Sequence, residues 1–271
     1  MNDGKSDLIN DSLSLSYASG NCRISYRVIG HGSPMILIMG LGGTMNEWDR
    51  TFLTILSNQY RLILFDNRGI GDSTDTDARL MIESMAVDVK TLMVSLDIPH
   101  ATILGYSMGA MIALEIAVRY PGLIDHLILY GPSMDGFHLV DRLAPYIDTG
   151  RPELILIDAL FPHEWLSSKS DLSQIFPPPV HKINRIAIFR QIGAMQDWKM
   201  DNDTISTIPI PTLILSGSID CITPASEGDK ISRLIKRSMI IQVPGGGHGM
   251  MYQFPKTIAE HILKFLKEEH K

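Results

Sequence analysis

The sequence predicts an α/β fold, a doubly wound and mostly parallel sheet of eight strands, with a block of helices inserted between strands six and seven. Three observations carry this. Several aliphatic runs of strand length, such as "PMILIMG" (34–40) and "HATILGY" (100–106), are nearly continuous, as in parallel strands buried on both faces. These runs alternate with segments whose apolar residues recur at helical spacing, the rhythm of a layered α/β domain. From about 133 to 207 that rhythm stops, and the sequence shows helical stretches with no strong strand signal.

"SLSLSYAS" (12–19) and "CRISYRVIG" (22–30) alternate in polarity and flank Gly20-Asn21, which reads as a hairpin. "PMILIMG" and "YRLILFDNRG" (60–69) are the third and fourth strands, with a helix predicted over 46–58 between them. A longer helix is expected over 79–97, where Met81, Met85, Val89 and Leu92 stand near helical spacing. "HATILGY" is the fifth strand and feeds "MGAMIALEIAVRY" (108–120). In that helix only Glu115 and Arg119 are charged, at i and i+4, a narrow polar stripe on a cylinder otherwise buried. "HLILYGP" (126–132), "PTLILSGSID" (211–220) and "SMIIQVPGG" (238–246) complete the strands, and a helix over 254–268 closes the chain. The expected organisation is a core of residues 1–132 and 208–271. Residues 133–207, with "PELILIDALF", a "PPP" break and "KINRIAIFRQIGAMQDW", would form a lid over the carboxyl ends of the strands.

A chain of 271 residues with 45% hydrophobic and 20% charged residues can bury a sizeable core. Its net charge of −6, with lysines clustered only in "KFLKEEHK" at the C-terminus, argues against a nucleic-acid partner. Cys22 and Cys221 lie far apart and outside any C-x-x-C pair, so neither a disulfide framework nor a cysteine zinc site is expected. H-E-x-x-H and P-loop patterns are missing from the sequence. The first residues are polar and acidic without an apolar h-region, and no apolar run approaches bilayer length. The expectation is a cytoplasmic monomer or homodimer that works on a small molecule without membrane, metal or cofactor.

In open α/β sheets the ligand site lies outside the carboxyl ends of the strands. Ser107 falls there, in "GYSMG", between Gly105 and Gly109 where a strand becomes a helix. Asp220 follows the seventh strand in "LILSGSIDCITP", and His248 follows the eighth in "VPGGGHGMM". The order Ser, Asp, His is that of one serine-hydrolase architecture. A serine hydroxyl is a poor nucleophile until a base takes its proton. An imidazole, ordinarily titrating near ~6.5, suits that task at His248. A buried carboxylate at Asp220 would hold the ring in the right tautomer. "MGLGGT" (39–44) can aim the backbone N–H of Leu41 at the point faced by the N–H of Met108, two donors for an oxyanion. "DNRGIGDS" (66–73) reads as a turn shaping the site wall, with Arg68 a lesser anion contact. Some of Phe137, Tyr146, Phe161, Trp165, Phe176, Phe189, Met195 and Trp198 would line an apolar pocket.

Taken together, "GYSMG", "MGLGG", "DNRGIGDS", "GSIDCITP" and "GGGHG" resemble the α/β-hydrolase family over nearly the whole chain from about residue 20. The resemblance implies Ser107 as nucleophile, Asp220 as acid, His248 as base, Leu41 and Met108 as oxyanion donors, and the helical insertion as a cap. Many members have His-Gly where this chain has Met39-Gly40, so the support of that loop must differ. "IMGLGG" with "DNRGIG" is similar to the branch that contains methyl esterases of polyketide natural products. The implied activity is cofactor-free hydrolysis of an ester or lactone of a small, apolar molecule. The same triad also serves carbon–carbon bond hydrolysis and perhydrolysis, and a hydrolase fold can act as a small-molecule receptor. The sequence leaves these open.

Overall fold

The computed structural model describes residues 15–19, 22–76, 78–147, 157–169 and 184–269. Its strands are β1 (Leu15–Ser19), β2 (Cys22–Ile29), β3 (Ser33–Ile38), β4 (Tyr60–Phe65), β5 (Ala101–Tyr106), β6 (Ile124–Tyr130), β7 (Thr212–Gly217) and β8 (Ser238–Val243). They make one eight-stranded sheet in the order β1-β2-β4-β3-β5-β6-β7-β8. β2 runs antiparallel to β1 and β4, and the other neighbouring pairs are parallel. The predicted mixed but mostly parallel sheet is the one observed.

Among the described residues the helices begin with α1 (Arg50–Ser57), α2 (Ile82–Ser95) and α3 (Met108–Arg119). Between β6 and β7 come α4 (Gly136–Ile147), α5 (Ile157–Leu160), α6 (His163–Ser167), α7 (Arg185–Gln196) and α8 (Asn202–Ser206). α9 (Ala225–Leu234), α10 (Met250–Gln253) and α11 (Pro255–Glu269) finish the chain. No helix among them is long and apolar enough to cross a membrane.

Strand alternation sends neighbouring residues to opposite faces of the sheet, so a doubly covered strand must be apolar throughout. In β3, Ile36 and Ile38 join the core under α2 and α3, with Met85, Val89, Met111 and Ile112. Met35 and Leu37 join the core under α1 and α11, with Phe52, Leu56, Ile258 and Ile262. That is why β5 and β7 are buried along their whole length.

The observed boundaries differ from the expected ones where polar side chains intercept the backbone. α1 starts at Arg50, because the Asp49 carboxylate accepts the N–H of Phe52 at 2.8 Å and caps the helix. Residues Met45–Glu47 form a separate 3-10 turn. α2 starts at Ile82, which leaves Met81 outside it and 45% exposed while Met85, Val89 and Leu92 are buried. β4 stops at Phe65, since buried Asp66 turns the chain by accepting the N–H groups of Met45 and Asp72. The Gly20-Asn21 turn, residues 12–14 and 152–156, the triple proline and Phe176 lie outside the described residues.

Backbone meets backbone closely at the β5–α3 junction. A Cβ on Gly105 would collide with the carbonyl oxygen of Gly109, and one on Gly109 with that of Ile38. Both obstacles are backbone and cannot swing aside, so glycine is required by space. Gly109→Ala should therefore destabilise the fold by about 1–3 kcal/mol, the range for overpacking a filled interior. Urea unfolding of the two proteins measures this, and equal midpoints would show that the junction yields.

Candidate active site

Ser107 sits at the corner between β5 and α3 with φ 56° and ψ −117°, a conformation that an L side chain rarely adopts. Such a residue stores about 1–3 kcal/mol of strain and persists only where its surroundings enforce it. Here they do. The Ser107 N–H donates to Tyr130 O on β6 at 2.9 Å, and Ser107 O accepts from the Ala110 N–H at 2.8 Å. Although Ser107 occupies the cap position of α3, its side chain makes no capping bond. The backbone therefore carries the turn and the hydroxyl is not consumed by it. Met108 opens α3, and the first N–H groups of a helix have no intrahelical acceptor.

Asp220 and His248 come from neighbouring loops beyond β7 and β8. The two loops are tied together: Ser218 N–H donates to Val243 O, Ile219 N–H to Gly246 O, and Gly245 N–H to Ser218 Oγ. Across them, Asp220 Oδ2 lies 2.8 Å from His248 Nδ1. The same oxygen accepts from Thr223 Oγ1 at 2.8 Å, while Oδ1 accepts the N–H groups of Ile222 and Thr223, both at 2.8 Å. Burial alone would push this carboxyl up. The facing His248 and the Thr223 donors outweigh it and hold Asp220 below the usual carboxylate range. An ionised Asp220 can only accept, so the proton of the neutral imidazole belongs on Nδ1 and Nε2 is left bare.

His248 is positioned from two further sides. The Tyr130 hydroxyl donates to His248 O at 3.0 Å and accepts the Met251 N–H at 2.8 Å. Burial raises the Tyr130 phenol well above its ordinary range, so it stays a neutral donor. The Tyr106 ring lies against the imidazole, centroids 5.1 Å apart. Ser107, Asp220 and His248 are 6%, 5% and 2% exposed.

The loop after β3 completes the arrangement. Gly40 packs directly on the corner, since a Cβ there would meet Ser107 Cβ at 3.2 Å and Tyr106 O at 3.3 Å. Leu41 follows it. Asn67 Nδ2 donates to Met39 O at 2.9 Å, which ties this loop to the one after β4. Arg68 pairs with buried Asp88 through two bonds of 2.8 and 2.5 Å, a committed structural contact rather than a free anion ligand. Among the described residues no three His, Cys, Asp or Glu side chains gather in a group that could hold a metal ion.

The α/β-hydrolase fold family matches residues 33–165, and the TAP-like protein family matches residues 191–271. The chain belongs to the α/β-hydrolase family. "Putative carbamate hydrolase RutD" of Caulobacter sp. (strain K31) is 29% identical over 258 residues, covering 88% of this chain and 94% of that protein. The crystal structure of a hydrolase from Pseudomonas aeruginosa has a TM-score of 0.83 at 23% identity, over 98% of this chain and 99% of that one. The enol-lactonase from Burkholderia xenovorans LB400 has a TM-score of 0.82 at 19% identity, over 93% and 100%. The family and its members support a hydrolase activity.

Several side chains around this hydrolase's site carried no sequence signal strong enough to single them out. Thr223, three residues after Asp220, is legible afterwards as an Asp-turn partner. Tyr130 and Asn67 are ordinary strand-end and turn residues until the fold brings them to His248 and Met39. Gln191 comes from α7, and its Oε1 accepts the Gly42 N–H at 2.8 Å. The helical segment also meets the histidine loop, where the Gly249 N–H donates to Leu160 O at 2.8 Å. Of the aromatic residues expected at a pocket, Phe161 is buried beside Gly249 and stacks on Trp165 at 4.7 Å. Trp198 and Met195 pack in the main core, and Trp198 Nε1 donates to Glu115. Phe137 and Phe189 are 58% and 64% exposed, and Tyr146 reaches Cys221.

A carboxyl held low in the folded state stabilises it above the unfolded pKa, near ~3.9 for aspartate, and that contribution fades as pH falls through the lower folded value. Wild type should therefore lose stability relative to Asp220→Asn as pH drops below about 4. Urea unfolding of both proteins from pH 7 to pH 3 reads this directly, and a constant difference would contradict it.

Proposed function

We propose that this chain is a cofactor-free serine hydrolase that cleaves an ester or lactone bond of a small molecule. The observations that carry the reading are the 2.8 Å contact between Asp220 Oδ2 and His248 Nδ1 and the strained corner on which Ser107 is held. A carboxylate satisfied by two backbone N–H groups and a hydroxyl is already oriented before substrate arrives.

In this reading Ser107 Oγ attacks the carbonyl carbon as its proton passes to His248 Nε2. Asp220 stabilises the imidazolium that forms. The carbonyl oxygen, now negative, accepts the N–H groups of Leu41 and Met108. Collapse of the tetrahedral intermediate breaks the bond to the leaving oxygen, which takes the proton from His248. Water then repeats the sequence on the acyl-enzyme, giving up a proton to His248 and releasing acid and free Ser107. Residues 133–207 act as the cap. Its contacts with Gly42 on one side and Gly249 on the other support that placement.

Hydrolysis of p-nitrophenyl esters from acetyl to octanoyl by wild type and Ser107→Ala is the test. Losing a triad nucleophile costs up to roughly 10⁶-fold in turnover. An active wild type and an inactive variant support the reading, and equal rates contradict it.

A further inference from the structure

Gln191 has no exposed surface, yet only one end of its amide is bonded among the described residues. Its Oε1 accepts the Gly42 N–H at 2.8 Å. A backbone N–H can only donate, so that bond fixes the oxygen end of the amide and makes the other end a two-hydrogen donor. This Nε2 is buried without a hydrogen-bond partner among the described residues. An unpaired buried donor is costly, and an apolar side chain of similar length would avoid the cost.

The position explains what such a donor could serve. Ile188, one turn earlier on α7, packs its end carbons over Gly42, so this face of the helix lies on the oxyanion loop. Two residues back along the loop, Gly40 packs on Ser107. Two residues of chain reach at most about 7 Å. The amide of Gln191 and the serine thus meet the two ends of one short stretch of this loop, Gly42 and Gly40.

We propose that Gln191 does two things, on the serine-hydrolase reading above. Its Oε1 positions the Gly42 peptide, and through it the Leu41 N–H. Its Nε2 donates a hydrogen bond to a carbonyl or carboxylate oxygen in the acyl part of the substrate, a few bonds from the scissile carbonyl. The substrate is then a keto-, amido- or carboxy-acyl ester rather than a plain hydrocarbon one. Gln191 is a specificity and positioning residue for it.

The test compares p-nitrophenyl pentanoate with p-nitrophenyl 4-oxopentanoate, which differ by one keto oxygen. Wild type should favour the oxo ester by about tenfold in kcat/KM, one hydrogen bond's worth. Gln191→Met removes both ends of the amide, whereas Gln191→Glu, assayed at pH 8, keeps an acceptor for Gly42 and loses the donor. Both variants should lose the preference, chiefly through KM, and Gln191→Met should also lower kcat on the plain ester. A wild type without the preference, or a preference that survives both variants, overturns the donor role. An unchanged kcat on the plain ester in folded Gln191→Met overturns the positioning role. If Gln191→Met does not fold, Gln191→Glu alone decides the donor role, and kcat in Gln191→Asn, which is too short to reach Gly42, decides the other. An inert wild type whose Ser107 also resists a fluorophosphonate would instead sink the serine-hydrolase reading. An inert wild type that is labelled is read by competition of methyl 4-oxopentanoate and methyl pentanoate against labelling, with the same two outcomes.

Discussion

Where β5 turns into α3 the backbone of three elements meets with no space for a side chain. Gly105 lies under the first turn of α3, and Gly109 lies against the end of β3, so the chain reverses direction between them, at the middle one of three residues. Ser107 takes that position at φ 56°, pinned by its N–H on Tyr130. Much of the site follows from this constraint. The helix starts immediately, which presents the Met108 N–H. β3 is drawn close, which sets Gly40 against the serine. β6 anchors the corner, and its Tyr130 also reaches over to hold the backbone of His248. One crowded junction therefore registers the serine with both the loop after β3 and the histidine loop.

Among the hydrogen bonds that join the helical segment between β6 and β7 to the core, three fall on loops around the site. Gln191 holds Gly42, Asn184 Nδ2 donates to Gly69 O at 3.0 Å, and Leu160 O accepts from Gly249. Another, Trp198 to Glu115, anchors the segment to α3 itself. Glu115 explains a feature of the sequence that amphipathicity alone left bare. Its carboxylate is buried because it serves two donors, Arg119 on its own helix and Trp198 from the segment above.

The sheet was legible because burial on both faces leaves an unmistakable trace, an unbroken aliphatic run. The corner was legible for a similar reason: a glycine on each side of a serine records two close backbone approaches. Asp220 and His248 could be chosen from many acids and nine histidines because strand ends and glycines marked their loops. Element edges were less legible, since Asp49 and Asp66 start or end elements through side-chain hydrogen bonds that no periodicity shows. Gln191 was the least legible of all. It is 149 residues away from its partner Gly42, and a glutamine in a helix carries no local mark of a distant contact. The aromatic residues of the segment divided between core, surface and the histidine loop for the same reason, because which helix face meets the sheet is decided by packing.

The central claim is that His248, oriented by Asp220, activates Ser107. Incubation with a fluorophosphonate followed by peptide mapping tests it most directly, because the reagent reports the nucleophile without requiring the natural substrate. The account predicts a single adduct on the peptide carrying Ser107, formed quickly in wild type and orders of magnitude more slowly in His248→Ala of unchanged fold. No adduct at Ser107, or one that forms equally fast without the imidazole, would contradict it.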